Sequence, residues 1–325
     1  MGIARSKTPE ELWGFFMAYL CYDLPMFETV KAYDDGTIFK QEAIEHYFLD
    51  YHQNPTSEIL FITFEGLFPK MDLEPWQRWP WGARFLIQEG HSVLGIKTTH
   101  SCWYRNKALH QALESQELKD ILAQHKRVIF YGESMGGYAA LAFSSIHKGS
   151  EVLCFGPQTS LDENITPWDD RYTKYGRTAD WSGPFADAAK ELQQNKRTYV
   201  VYDPFCPYDS KHIARLPQDQ VTLLKAPFLD HEVAAYISGF QLLKPCVHHL
   251  LNNSLEEWFP KAIRIRKTAN VYLSNVYYNL AKRAFKKGDL DLAIDHATKA
   301  LEENIKNIRA VNFAKQLIQK KQSGI

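Results

Sequence analysis

The strongest constraint on this chain is a series of short apolar runs, rich in β-branched and aromatic residues, with a helical stretch between each pair. "EILFITFEG" (58–66), "HSVLGIKTT" (91–99), "RVIFYGES" (127–134), "EVLCFGP" (151–157), "RTYVVYDP" (197–204) and "QVTLLKAP" (220–227) are short for helices and too continuously apolar for strands with one wet face. Strands of this kind are buried on both faces, as in a parallel sheet whose crossover helices cover both sides. Helical stretches at about 81–90, 107–124, 135–147, 184–194, 209–215 and 231–242 supply the crossovers. "ETVKAYDDGTIF" (28–39), turning at Asp35-Gly36, predicts a hairpin that leads into the sheet. The expected fold class is therefore α/β: a mainly parallel, doubly wound sheet with a small all-helical C-terminal extension. The expected divisions are an N-terminal helix and hairpin (1–54), a sheet domain (55–260) and the extension (261–325).

One junction in this pattern carries chemistry. Gly132-Glu133-Ser134-Met135-Gly136 falls where a strand gives way to a helix, and Gly137, Ala139, Ala140 and Ala142 follow it. A serine forced into a sharp strand-to-helix turn exposes its hydroxyl, and the turn closes only if the flanking positions lack a Cβ that would clash. The small residues beyond let the helix pack close to the sheet.

With that motif in that context, residues 55–250 resemble an α/β-hydrolase, with Ser134 at the position of the nucleophile elbow. The resemblance implies an acid and a histidine later in the chain, in that order, because a serine hydroxyl needs a base to take its proton and the base needs a carboxylate to orient it. His231, just past the last expected strand, matches the histidine position; His91, His100, His212, His248 and His249 fit it worse. A structural reading, a helix N-terminal residue beside Asp230, stands next to the catalytic one. Two acids compete. Asp203 at the strand end, followed by Pro-Phe-Cys-Pro, is the expected partner, with Asp209 as the alternative; the one left over is expected to cap a helix or fix a loop.

The resemblance further implies an oxyanion hole from the backbone N–H of Met135 and one from the loop after the "EILFITFEG" strand, Leu67 following Gly66. Glu65 departs from the pattern, since many members of that family carry a histidine there, and it brings a carboxylate near the site. Three aromatic-rich loops follow strand ends: 74–82 with Trp76, Trp79 and Trp81, 99–106 with Trp103, and 165–185 with Trp168, Tyr172, Tyr175 and Trp181. Glu65, Trp103, Trp168 and Trp181 are the candidate pocket residues, and Asp169, Asp170, Arg105 and Arg171 are candidates to fix polar groups. The competing reading is that the tryptophans form a satellite core that holds long loops down.

After about residue 255 only helical periodicity remains, past the basic stretch "KAIRIRKTAN" (261–270), read first as a solvated connector or helix face. Residues 277–307 resemble a tetratricopeptide repeat: Leu280, Gly288, Leu290, Ala293, Ala300 and Leu301 fall at its packing positions, with Ala281, Ala284 and Ile305 as departures. One repeat and a following helix at 308–320 are expected to dock on the main domain or on a second copy, so residues 270–325 are the candidate surface for a homo-oligomer or protein partner.

Composition narrows the rest. Lys plus Arg and Asp plus Glu each number 38, which removes any global pull toward nucleic acid. Five scattered cysteines form no C-x-x-C pair, the usage of a reduced, cytoplasmic protein. Residues 9–24 are apolar but bounded by Glu10, Glu11, Asp23 and Pro25, so an amphipathic helix and no membrane span is expected. "MGIARS" matches a loose acylation pattern on which nothing is built. No HExxH, Walker loop or dinucleotide fingerprint occurs, so neither metal nor cofactor is expected. The expected function is a serine esterase acting on a small-molecule acyl substrate, polar or sugar-linked. An acyltransferase with the same triad and a non-catalytic scaffold that engages partners through its C-terminal helices are the alternatives.

Overall fold

A computed structural model describes residues 27, 29–33, 35–67 and 74–323. The helix expected at 9–24 and the N-terminal acylation pattern lie outside the described residues. Within them, nine strands form one sheet: β1 (Thr29–Ala32), β2 (Ile38–Ile44), β3 (Tyr47–His52), β4 (Ile59–Phe64), β5 (Ser92–Thr98), β6 (Arg127–Glu133), β7 (Glu151–Phe155), β8 (Arg197–Tyr202) and β9 (Thr222–Lys225). Their order is β1-β2-β3-β5-β4-β6-β7-β8-β9. β1 to β3 and the β3–β5 pair are antiparallel, whereas β5, β4 and β6 to β9 run parallel. This is the mainly parallel, doubly wound α/β sheet that the apolar runs lead one to expect, with a helical extension at its C-terminal end.

Strand periodicity divides the core into two layers. Leu60, Ile62 and Phe64 of β4 and Val128 and Phe130 of β6 face α2 (Lys107–Leu113), α3 (Gln116–Ala123) and α4 (Met135–Ala142). Phe61, Ile129 and Tyr131 face the other way, toward α1 (Ala83–Gln88), α6 (Val233–Gly239), α7 (Leu243–Leu251) and α8 (Leu255–Ala262). Both faces of the central strands are thus removed from water, which is why these strands read as continuous apolar runs. α5 (Pro207–Ala214) follows β8.

Three local expectations differ from what is observed. The stretch 107–124 is two helices, because the Ser115 side chain accepts a hydrogen bond from Leu118 N and starts a new one. The helix expected at 184–194 is only a short 3-10 turn, Ala188–Lys190; Phe185 has φ 62°, and Asp187 caps the turn while Arg215 holds its carboxylate. β3 was not expected at all; its Asp50 is fully buried against Lys97 of β5.

The C-terminal helices α9 (Asn270–Lys286), α10 (Leu290–Glu303) and α11 (Ile308–Ser323) have a small core of their own, in which Ala281, Ala284, Ala293 and Ala297 meet Leu317. Small residues at the crossing let the helix axes approach closely. Gly288, at φ 85°, makes the turn between α9 and α10 that a side chain would strain. Among the described residues no helix is long and apolar enough to cross a membrane.

Candidate active site

The strand-to-helix junction at Ser134 is strained and tightly packed. Ser134 sits at φ 49°, ψ −115° between β6 and α4, a conformation that costs a non-glycine residue roughly 1–3 kcal/mol and persists only where its surroundings over-determine it. They do: Ser134 N donates to Phe155 O at 2.9 Å, and Tyr138 N donates to Ser134 O at 2.9 Å. A Cβ at Gly132 would lie 2.2 Å from Gly136 O, and one at Gly136 would lie 2.4 Å from Phe64 O. Only glycine fits either place, so the motif's spacing is a steric requirement of the turn.

The hydroxyl that this turn presents meets His231. Ser134 Oγ lies 2.8 Å from His231 Nε2, and His231 Nδ1 lies 3.0 and 2.9 Å from the two carboxylate oxygens of Asp209. The carboxylate on the ring belongs to Asp209, and Asp203 does not reach it. β8 ends at Tyr202, so Asp203 turns the chain, accepting from Phe205 N at 2.8 Å and from Asp230 N at 2.7 Å. Asp209, in the first turn of α5 and fully buried, faces the imidazole instead.

Burial alone would raise the Asp209 pKa, but His231 and Arg171 outweigh it and leave the carboxyl below its ordinary range. Burial likewise pulls His231 down, and the charge and hydrogen bond of Asp209 more than offset it, leaving the imidazole above its ordinary value. An imidazole whose Nδ1–H is held by a carboxylate presents Nε2 as the acceptor for a hydroxyl proton.

Behind Asp209 the ion pairs continue. Arg171 Nη1 donates to Asp209 at 2.9 Å, while its Nε and Nη2 donate to Asp169 at 3.0 and 2.8 Å. The His212 Nδ1 accepts from Thr159 N at 3.1 Å, which puts the proton on Nε2 and makes it the donor to Asp169 at 2.8 Å. Asp169 and Arg171, expected to hold polar groups of a ligand, hold each other and Asp209. Asp170 accepts from the Tyr208 hydroxyl, and Arg105 donates to the carbonyls of Asp180, Ser182 and Pro184, fixing that loop.

Two further side chains touch Ser134 and His231. The Tyr172 hydroxyl lies 3.1 Å from His231 Nε2, and burial raises its pKa to about 12, so it remains a neutral phenol. Gln158 Nε2 donates to Ser134 Oγ at 3.3 Å, and its Oε1 accepts from Trp103 Nε1 at 3.1 Å. In the sequence Tyr172 is one aromatic of a long loop, and its own surroundings do not mark Gln158. Its position just past β7, at the carboxyl end of the strand beside β6, was the available signal.

The expected pocket residues are spread over several surroundings. Trp103, fully buried, packs on Tyr172 at 4.7 Å between ring centres. Trp168 packs on His212 at 4.6 Å, and Trp181 packs edge-on to Tyr138 at 5.4 Å while donating to Gly176 O. Each braces a loop or a helix. Trp79 and Trp81 pack on Tyr33 and Tyr131, away from the serine. The Glu65 carboxylate turns aside to Arg78, at 2.9 Å from Nε and 2.5 Å from Nη2, and to Thr98 N at 3.1 Å. Its backbone stays beside the elbow, and the following Gly66 lies against Glu133. Leu67, half-buried, packs on the core, and Met135 opens α4, whose first N–H groups have no partner within the helix.

No family model and no curated protein matches this chain. Among solved structures, the capsule O-acetyltransferase of Neisseria meningitidis serogroup A is similar at 14% identity over 63% of this chain and 93% of that one, with a TM-score of 0.43. The fluorophosphonate-binding serine hydrolase F of Staphylococcus aureus is similar at 12% identity over 72% and 97%, with a TM-score of 0.40. Esterase B of Lactobacillus rhamnosis is similar at 13% identity over 78% and 96%, with a TM-score of 0.42. At these values the chemistry rests on the side chains of this chain itself.

Proposed function

We propose that the chain is a serine-dependent acyl hydrolase, cleaving a carboxylic ester through an acyl-enzyme on Ser134. The observation that carries this reading is the continuous hydrogen-bond chain from Ser134 Oγ to His231 at 2.8 Å and from His231 to Asp209 at 2.9 Å, starting from a serine in a strained turn.

In this reading Ser134 Oγ attacks the carbonyl carbon and its proton passes to His231 Nε2, while the cation so formed is stabilised by Asp209. The backbone N–H groups of Met135 and Leu67 receive the oxyanion. Collapse breaks the bond to the alcohol, which leaves with the proton from His231. A water molecule then attacks the acyl carbon, giving its proton to His231, and Ser134 departs and takes that proton back. An alcohol in place of water would give acyl transfer by the same steps.

The test is labelling by a fluorophosphonate together with hydrolysis of p-nitrophenyl acetate. The wild-type chain is expected to be labelled and to turn over, and Ser134→Ala to do neither at unchanged melting temperature. Labelling that survives Ser134→Ala, or a folded wild-type chain that takes no label, overturns the proposal. Product analysis with an added alcohol separates hydrolysis from transfer.

A further inference from the structure

The loop that carries His231 is held from outside the sheet domain. Between β9 and α6 the chain passes through Phe228 at φ 69° and Asp230 at φ 63°, two non-glycine residues in the left-handed region within a short segment. A segment of this kind keeps its shape only if other groups over-determine it. From the sheet domain come a tie of Asp203 to Asp230 N and the stacking of Phe205 on the Phe228 ring, at 4.1 Å between centres. The others come from the C-terminal helices: Asn275 Nδ2 donates to Phe228 O at 3.0 Å, Arg309 Nη2 pairs with the Asp230 carboxylate at 2.7 Å, and Tyr272 packs edge-on to the Phe228 ring at 5.6 Å. Just before α9, Arg266 Nε donates to Pro227 O at 3.2 Å.

The helices are built around these ties. Asn275 is buried at 1% exposure, where an unsatisfied amide would cost stability. Its Oδ1 accepts from Asn307 Nδ2 at 2.9 Å and from Arg309 Nη2 at 3.1 Å, and Asn307 also donates to Ser274 Oγ at 2.8 Å. Ser274 Oγ in turn donates to Ala300 O at 2.7 Å. One polar network therefore joins α9, α10 and α11, and its two outward ends are a carbonyl and a carboxylate of the His231 loop. A hairpin that packed only through its alanines would have no need of it.

We propose that the C-terminal helices act as a positioning element for His231, with Asn275 and Arg309 fixing the backbone that sets the imidazole against Ser134. This rests on the reading of Ser134 and His231 as the reactive pair. Neither Asn275 nor Arg309 touches a reacting atom, so both are positioning residues. Any partner that binds α9 to α11 and shifts them would change the reactivity of Ser134 through the same contacts.

The experiment uses the full chain and a fluorophosphonate, with the labelling rate of Ser134, kcat and KM on p-nitrophenyl acetate, and amide exchange over residues 226–232 as readouts. Misplacing a catalytic group by a fraction of an ångström to an ångström costs about ten- to a hundredfold in rate. Arg309→Ala and Asn275→Ala are each expected to slow labelling and kcat by about tenfold with KM unchanged, and to speed exchange over that segment. Arg309→Lys should restore part of the loss. Asp230→Ala should match Arg309→Ala, and the double variant should be no worse than either, as for two ends of one contact. Lys321→Ala, which removes an exposed ion pair with Asp291 on the same helices, is the control expected to change nothing. If the wild-type chain is labelled and Arg309→Ala and Asn275→Ala are labelled as fast, the positioning role is overturned and the hydrolase reading stands. If faster exchange comes without any change in kcat, the contact is structural only and the positioning role again fails. A folded wild-type chain that takes no label overturns both.

Discussion

Two of the buried ion networks among the described residues end differently. At the carboxyl ends of the parallel strands, His212, Asp169, Arg171 and Asp209 form a chain that terminates on His231, whose side chain is 23% exposed, and then on the half-buried Ser134. At the antiparallel edge, Lys97 Nζ meets the Asp50 carboxylate at 2.6 Å and donates to Tyr33 and to the Arg78 carbonyl, each at 3.1 Å, with both ion-pair side chains at 0% exposure. Asp50 accepts in addition from Tyr33 and Gln41. Every bond of that second network ends on a protein atom that has no further chemistry to do. Both networks perturb their titratable groups, so burial of charge and shifted pKa values do not distinguish a site from a strut. The distinguishing mark is a chain of bonds that ends on a partly exposed hydroxyl, the proposed nucleophile.

If that distinction is right, breaking each network has a different consequence. Beyond removal of the serine itself, the largest loss should follow Asp209→Asn. The amide cannot hold Nδ1–H as a carboxylate does, and kcat is expected to fall by about 10⁴-fold, with little change in melting temperature. The pH profile carries the sign. Asp209 keeps His231 above its ordinary pKa against burial and the Arg171 charge, and without it these outweigh the smaller raising effect of Asp230, so the imidazole pKa drops. Residual activity, which needs neutral His231, should therefore persist to lower pH than in the wild type. An acid limb that stays in place or moves up would detach Asp209 from the ring.

Next in size is Lys97→Met in the other network, which leaves the Asp50 carboxylate buried without its cation. Stability should fall by about 3–5 kcal/mol, measured by urea unfolding, because the charge can neither be solvated nor paired. The labelling rate of Ser134 in the molecules that remain folded should be unchanged. Loss of labelling in step with Asp209→Asn would show that the two networks are one system, joined through Arg78 and Glu65.

The same contrast explains what could be read in advance. The strands β4 to β9, the tight strand-to-helix turn at Ser134 and the C-terminal helices are written in contiguous residues: apolar runs, two glycines that a close approach demands, and alanines at helical spacing. β3 is written otherwise. Its Asp50 breaks the apolar pattern, and its burial makes sense only once Lys97 arrives on a strand formed much later in the chain. The carboxylate on His231 is a similar case. Choosing between Asp203 and Asp209 requires knowing that β8 stops at Tyr202, a boundary that the run "RTYVVYDP" leaves open. Tyr172 and Gln158 reach Ser134 and His231 only through the folding of long loops, where local pattern carries little information. The tie from Asn275 and Arg309 to the His231 loop depends on how the helices dock, which no local pattern specifies.

Tyr172 offers the smallest and most discriminating test of where the site network stops. With Nδ1–H held by Asp209, the neutral His231 ring has a single acceptor, Nε2, and two hydroxyl donors face it: Ser134 at 2.8 Å and Tyr172 at 3.1 Å. Once His231 has taken the serine proton, the phenol oxygen can instead accept from Nε2–H, so its value is that of one hydrogen bond made in the charged state. Trp103 packs on one side of the phenol ring, at 4.7 Å, and the Arg171 guanidinium lies 5.2 Å from its centre, so Tyr172→Phe should keep the ring in place and delete only the hydroxyl. A hydrogen bond to a charged group, roughly 1.5–3 kcal/mol, corresponds to a drop in kcat of about ten- to 150-fold, with KM unchanged. Such a loss would leave the phenol at the edge of the reactive chain. A loss approaching that of Asp209→Asn would mean that the Tyr172 hydroxyl exchanges a proton with the reacting atoms, and the accessible end of the network would then comprise two hydroxyls on one imidazole nitrogen.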